Sequence, residues 1–353
     1  MIPSPVYPMP GGDIEGSAHA GDRRLKQLSD WLRTLPALDG FSLEPASGDA
    51  SFRRYFRVTT GGDTYIAMDA PPELEDCMPF VTVASYLGAI GLNAPTVLAS
   101  RIDDGFLLLS DFGTAVYLDV LTQEPLRVDD LYGDALNALA VMQVEGEGYV
   151  ERLPPYDDAL LRFELSLFSD WLCGRHLGIE MTSAEQRAWD AVCNVLVNTA
   201  LDQPSVFVHR DYHSRNLMVT EAGNPGILDF QDAVSGPLCY DLVSLLKDCY
   251  VAWDTERVSA WALDYFERLP PALRGKIGSE RFLRDFALTG VQRHLKAAGI
   301  FARLKLRDGK SGYLRDVPRA LAYIPPVADE HPELAFLARF VEERVLPPLA
   351  AAS

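Results

Sequence analysis

Between His209 and Asp241 the chain carries His209-Arg210-Asp211-Tyr212-His213-Ser214-Arg215-Asn216 and, further on, Ile227-Leu228-Asp229-Phe230-Gln231. These are residue types that can move a phosphoryl group. That reaction passes through a loose transition state with its charge on phosphate oxygens, so a protein contributes mainly positioning and cations. A carboxylate such as Asp211 can receive the proton of an attacking hydroxyl. Magnesium wants oxygen ligands in an octahedral array, and one or two side-chain oxygens suffice when phosphates and water supply the rest. Asn216, five residues after Asp211, and Asp229, thirteen further, offer one neutral and one charged oxygen of that kind. Each residue taken alone also suits an ordinary helix cap or turn. Only the set in register points to phosphoryl transfer.

For these groups to act together, the chain must converge. Ser205–Val208 predicts a short buried strand that delivers His209 and Asp211 to a loop, and residues 217–220 predict a second that leaves Asn216. Residues 221–225 are a turn rich in structure breakers, and residues 226–228 form a third strand ending at Asp229. Such a hairpin sets Asn216 and Asp229 at one end, beside the Asp211 loop. Upstream, residues 41–45, 54–60, 64–68, 96–100 and 105–110 fit a small antiparallel sheet interrupted by a helix over 76–90. A helix beginning near Asp22 places Leu25, Leu28, Trp31, Leu32 and Leu35 on one face. Helices dominate from Tyr117 onward. Residues 1–21, rich in Pro, Gly and small side chains, are expected to be a disordered tail.

At 353 residues the chain exceeds what one hydrophobic core usually serves. The expected fold class is α+β in two lobes: a nucleotide-binding lobe over 22–110 with the sheet, and a larger, mainly helical catalytic and substrate lobe over 111–353. No apolar run reaches membrane-spanning length, and the N-terminus has no basic-then-apolar signal pattern, so a soluble cytoplasmic protein is expected. Five scattered cysteines, Cys77, Cys173, Cys193, Cys239 and Cys249, lack metal-site spacing and read as reduced core residues. With 32 basic against 50 acidic residues the net charge is −18, which argues against nucleic acid or an anionic membrane as partner. The acidity does not choose a substrate, and oligomeric state is not legible.

The His209 to Asp241 segment resembles the catalytic and metal loops of the aminoglycoside phosphotransferase and choline kinase family, which shares the protein-kinase fold. His209, Arg210, Asp211 and Asn216 match the His-Arg-Asp, four residues, Asn pattern, and Asp229-Phe230-Gln231 stands at the Asp-Phe-Gly motif. The resemblance implies a bilobal kinase fold, ATP as co-substrate, Mg2+ held by Asn216 and Asp229, and Asp211 as the catalytic group. It makes His209 and Asp241 supports, the latter buttressing the catalytic loop through backbone hydrogen bonds. Gln231 in place of Gly suggests that there is no activation loop to swing. Residues 46–57 resemble the family's nucleotide loop, with backbone N–H groups and the Ser47 and Ser51 hydroxyls around phosphates. The following Phe106 to Gly113 resembles the hinge, with the backbone around Leu108 to Ser110 against adenine. One element departs from the pattern. Met68 occupies the position where relatives carry a phosphate-binding lysine, so Arg53, Arg54 or Arg57 must substitute, or the protein binds nucleotide without turnover. Glu73 and Glu75, candidate partners of that lysine, are left without a role.

A narrower resemblance runs through residues 47–57, Met68-Asp69-Ala70-Pro71-Pro72, 156–162, 229–233 and 292–303. These blocks look like the bacterial kinases that phosphorylate N-acetylmuramate and N-acetylglucosamine at the anomeric C1 hydroxyl in cell-wall recycling. The likeness spans roughly residues 23 to 345. Fold does not fix substrate, so another small-molecule kinase and an inactive nucleotide-binding pseudokinase stay open as alternatives. Residues 293–315 hold seven basic side chains against Asp308 alone, a local excess that suits an anionic lactyl group or a solvated face. His213, Arg215 and Arg293 are the candidate substrate contacts. Glu164, Phe168 and Trp171 recur at helical spacing on a helix expected over 157–176.

Overall fold

The computed structural model describes residues 22–48 and 52–351, so the expected tail and Ser51 lie outside the described residues. The chain divides into two compact units, one of the residues up to Asp76 with Leu98–Leu109, the other of Cys77–Val97 with Ser110 onward. The helix Met78–Ala89, which falls in sequence between strands of the sheet, thus belongs to the second unit.

Five strands, β1 (Ser42–Gly48), β2 (Arg54–Thr60), β3 (Asp63–Asp69), β4 (Val97–Arg101) and β5 (Phe106–Ser110), form one sheet in the order β1-β2-β3-β5-β4. The β2–β3 hairpin closes through Gly61 and Gly62, whose φ values of 55° and 102° are the left-handed pair a two-residue turn demands. Alternation in β2 sends Phe56, Val58 and Thr60 inward. The helix Arg23–Leu32, capped by the Asp22 carboxylate accepting from Leu25 N–H, packs Leu28, Trp31 and Leu32 on Phe56, Val58, Phe106 and Leu108.

The second unit is mainly helical and carries two small ribbons: β6 (Ser205–Val208) with β9 (Val234–Pro237), and β7 (Leu217–Met218) with β8 (Gly226–Ile227). Both strands of the expected hairpin are shorter than sequence predicts. Leu228 N–H still bonds the Asn216 carbonyl across the hairpin (2.9 Å), whereas Val219 N–H leaves it for the Ala115 carbonyl (2.7 Å). The expected helix over 157–176 is α-helical through Asp158–Leu167 and continues as a π-helix through Phe168–His176. Against it lies the longest helix, Ser279–Asp308, of 30 residues. The five cysteines are buried thiols, and no described helix is long and apolar enough to cross a membrane.

The crossing of those helices depends on Gly299. A methyl group there would sit 2.3 Å from the Leu167 carbonyl carbon and 2.5 Å from Phe168 N, both backbone atoms with little freedom to yield. Gly299→Ala is therefore expected to destabilise the protein by about 1–3 kcal/mol, the usual range for overpacking. Calorimetry checks this; an unchanged Tm would show that the helices separate at no cost.

Candidate active site

The chain reverses sharply after β6, and one buried carboxylate holds the reversal. Asp241, in the first turn of the helix Tyr240–Leu246, accepts from His209 N–H at 2.6 Å and Arg210 N–H at 3.0 Å. Arg210 sits at φ 78° and Asp229 at φ 62°, left-handed conformations that L side chains rarely adopt and that cost on the order of 1–3 kcal/mol each. Arg210 is over-determined by its N–H bond to Asp241 and by a 2.7 Å ion pair to Glu164. A second buried carboxylate, Asp248, accepts from both Ser214 N–H and Ser214 Oγ and from Tyr250 N–H, fixing the far side of the same loop. Burial pushes Asp241 up to about 7, partly offset by its two backbone donors, and pushes His209 down to about 4, so the histidine is neutral. Its Nδ1 accepts from Asp211 N–H at 3.2 Å, a loop-orienting contact with no part in proton transfer.

The oxygen pair is assembled as the spacing predicts. Asn216 Nδ2 donates to the Asp211 carbonyl at 2.9 Å and leans toward Asp229 Oδ2 at 3.4 Å, which leaves Asn216 Oδ1 as its open acceptor. Gln231 Nε2 donates to Asp229 Oδ1 at 2.9 Å. The Gln that replaces Gly in the motif therefore steadies the carboxylate. One neutral oxygen, on Asn216, and one charged carboxylate, held on Asp229 by amide donors from Asn216 and Gln231, suit a magnesium ion that takes its remaining ligands from phosphates and water. Among the described residues no three His, Cys, Asp or Glu side chains cluster as a self-sufficient metal centre.

Asp211 faces a cavity of about 100 Å³ whose lining includes His213, Tyr240, Cys249, Tyr250, Arg293, Lys296 and Phe301. Burial would raise its pKa, but Lys296, then His213, Arg210 and Arg293, outweigh burial and bring it down to about 2. The carboxylate is an anion at any working pH. Arg293 and Lys296, one helical turn apart, point inward and are nearly inaccessible, so this part of the basic run is no solvated face. His213 is half-buried, its pKa is lowered by desolvation, and its Nδ1 has no partner among the described residues.

Glu164 ties this cavity together. Its carboxylate is 1% exposed and accepts from Arg210 (2.7 Å), Lys296 (3.1 Å), Gln292 (3.1 Å) and the Tyr156 hydroxyl. Burial raises its pKa, while Lys296 and then Arg210 pull it below the ordinary carboxylate range. Two cations share one buried anion, so Glu164→Gln, which keeps the volume and removes the charge, is expected to cost about 3–5 kcal/mol. Urea unfolding measures it; a loss below about 1 kcal/mol would show that Asp211 alone compensates both cations. Of its helical neighbours, Phe168 is core against Trp189, and Trp171 carries the Arg175 guanidinium on its ring.

The other expected site residues are placed as follows. Arg215 points away from Asp211 into an adjoining pocket, its guanidinium 3.6 Å from the Tyr250 ring centroid. Leu108 is buried in β5, which has β3 and β4 on either side, and Ser110 N–H donates to the Thr96 carbonyl at 3.0 Å. Of the backbone around Leu108 to Ser110 expected against adenine, the Ser110 N–H is therefore engaged, and the chain leaves the sheet at Asp111. Ser47 is in β1 opposite Tyr55. Met68 is fully buried. Arg54 is occupied by Asp69 and Asp22, whereas Arg53 forms a loose 3.9 Å pair with Glu75, a residue that also accepts from Phe52 N–H. Sequence reasoning read Gln231 only as a departure from the motif and missed Lys296 as an active-site cation and Asp248 and Tyr240 altogether; their only sequence signal was proximity to the motif or to the basic run.

Comparison with known proteins agrees with this geometry. Residues 42–275 match the model of the phosphotransferase enzyme family. The N-acetylmuramate/N-acetylglucosamine kinase of Pseudomonas aeruginosa is 48% identical over 333 residues, 90% of this chain and 95% of that protein. The protein of the same name from Neisseria meningitidis is 39% identical over 327 residues, 92% of this chain and 96% of its own. Among solved structures, the Plasmodium vivax ethanolamine kinase aligns with a TM-score of 0.63 at 11% identity, covering 87% of this chain and 89% of that one. The choline kinase LicA of Streptococcus pneumoniae aligns with a TM-score of 0.59 at 13% identity, covering 86% and 99%. The fold is thus that of the kinase-like phosphotransferases, and with the family match spanning the Asp211, Asn216 and Asp229 site the chain belongs to the phosphotransferase enzyme family.

Proposed function

We propose that this chain is an ATP-dependent kinase that phosphorylates the anomeric C1 hydroxyl of N-acetylmuramate and N-acetylglucosamine in cytoplasmic recycling of cell-wall amino sugars. The observation that carries the reaction is the ionised Asp211, walled by Arg293 and Lys296 in a cavity beside the Asn216 and Asp229 oxygens. The sugar follows from the names of relatives that match almost end to end.

In this reading Asp211 aligns the anomeric hydroxyl for in-line attack on the γ-phosphoryl group and accepts its proton. An anomeric hydroxyl is more acidic than an ordinary alcohol, so a carboxylate with pKa near 2 serves chiefly by orientation. Lys296 and Arg293 stabilise the anion and limit the cavity. His213, in the wall of the cavity, meets substrate hydroxyls. Asn216 and Asp229 would hold Mg2+, which neutralises charge developing on the phosphates. Residues 22–110 serve the nucleotide: Ser47, Ser51 and Arg53 at the phosphates, with Glu75 steadying Arg53 in place of the absent lysine pair, and the backbone just beyond Leu108 and Ser110 at adenine.

An acceptor panel scored by ADP release, with phosphorus NMR to locate the new phosphate, tests this reading. Amino sugars phosphorylated at C1 are the expected result. Preference for an aminoglycoside, choline-like or homoserine-like acceptor would replace the substrate, and absence of ADP release with every acceptor would leave a nucleotide-binding pseudokinase.

A further inference from the structure

Next to the Asp211 cavity lies a larger pocket of about 390 Å³, and Tyr250 belongs to the walls of both. Its charged lining is Arg215, Arg315 and Arg319 against Asp119 and Asp316, which leaves one positive charge uncompensated in a chain of net charge −18. The three arginines are not equivalent. Arg215 lies flat on Tyr250 and has no hydrogen-bond partner among the described residues. Arg319 is fixed by donating to the Cys249 carbonyl at 2.8 Å and Asp316 at 3.3 Å, both through one terminal nitrogen. Arg315 is 77% exposed and reaches its nearest carboxylate, Asp316, only at 4.0 Å. A pocket with guanidinium edges to spare and a single net positive charge is complementary to one monovalent, planar anion, because a guanidinium fork matches a carboxylate with two parallel hydrogen bonds.

We propose that this pocket is a carboxylate subsite that takes the lactyl acid of N-acetylmuramate, with Arg315 and Arg319 as its binding groups. The proposal rests on the amino-sugar kinase reading above. N-acetylmuramate is N-acetylglucosamine with a lactyl ether on the ring, so it needs a second compartment next to the one that holds the reacting hydroxyl. The shared Tyr250 wall provides that arrangement. The acid takes no part in the chemistry, and its contacts are the same before and during phosphoryl transfer. Such contacts lower KM and leave kcat alone. The subsite therefore sets how strongly the enzyme prefers the acidic sugar.

The experiment measures kcat and KM of the full-length protein with N-acetylmuramate, its methyl ester and N-acetylglucosamine, in the wild type and in the Arg315→Ala/Arg319→Ala double variant. The double variant is expected to lose about tenfold or more in the ratio of kcat/KM for N-acetylmuramate over N-acetylglucosamine, through KM. In the wild type the ester, which keeps the bulk and loses the charge, is expected to match the acid's value in the variant. The ratio is independent of how much enzyme is folded, so partial misfolding does not obscure it. An unchanged ratio, or an ester as good as the acid in the wild type, overturns the subsite while leaving the kinase reading intact. A wild type that phosphorylates neither sugar overturns the kinase reading itself, and the subsite with it.

Discussion

Asp211→Asn is expected to lower kcat by about 10²- to 10⁴-fold, the range for removing a positioned proton acceptor, while ATP affinity stays close to that of the wild type. The replacement is isosteric, and the contacts that shape the loop at this residue are main-chain ones: Asn216 Nδ2 to the Asp211 carbonyl and Asp211 N–H to His209 Nδ1. They survive the change. What is lost is the negative charge that the substrate hydroxyl meets. Steady-state kinetics and nucleotide calorimetry on one preparation separate the two effects, and wild-type turnover in the variant would remove Asp211 from the mechanism. The pH profile adds a second reading. Asp211, brought down to about 2, is ionised above that value and produces no acid limb over the ordinary range. Asp241, pushed up to about 7 by burial, takes up a proton as pH falls through that value. A protonated carboxyl no longer offers full acceptors to both His209 and Arg210 N–H, so kcat/KM is expected to decline below about pH 7 through loosening of the catalytic loop.

Asp229→Ala is expected to weaken magnesium-dependent ATP binding by at least about tenfold to a hundredfold, the loss already seen when merely outer partners of a metal ligand are removed. The variant also places Ala at φ 62°, where an L side chain is disfavoured. Asp229→Asn is therefore the companion variant, since Asn tolerates the left-handed region and can keep the Gln231 contact while losing the charge. Nucleotide affinity measured across magnesium concentrations, and again in a chelator, isolates the metal term. The variants and the wild type are expected to agree in chelator and to diverge as magnesium rises. Equal affinity at saturating magnesium would show that Asp229 is not a ligand.

The Asp211, Asn216, Asp229 set was legible in the sequence because its members come from one short stretch, where spacing and a hairpin suffice to bring them together. The first sheet was legible for a similar reason. Its strands fall within a few residues of the positions that alternation and the Gly61-Gly62 turn indicate, since each hairpin is local. The inward placement of Glu164, Arg293 and Lys296 was not, although Arg293 was a candidate substrate contact. On a helical wheel they look like surface charges, and only the crossing permitted by Gly299 turns all three inward, where each can remain ionised because the others compensate it. The pairing of Ser110 N–H was hidden for the same kind of reason: whether it is free depends on which strand lies beside it in the sheet, a property of topology that no local pattern carries. By itself, then, the sequence determined the reaction type and the convergence of Asp211, Asn216 and Asp229. Tertiary structure decided which charges are buried, which cations hold Asp211 ionised and which arginines line the adjoining pocket, because burial and charge pairing are set by partners from separate segments of the chain.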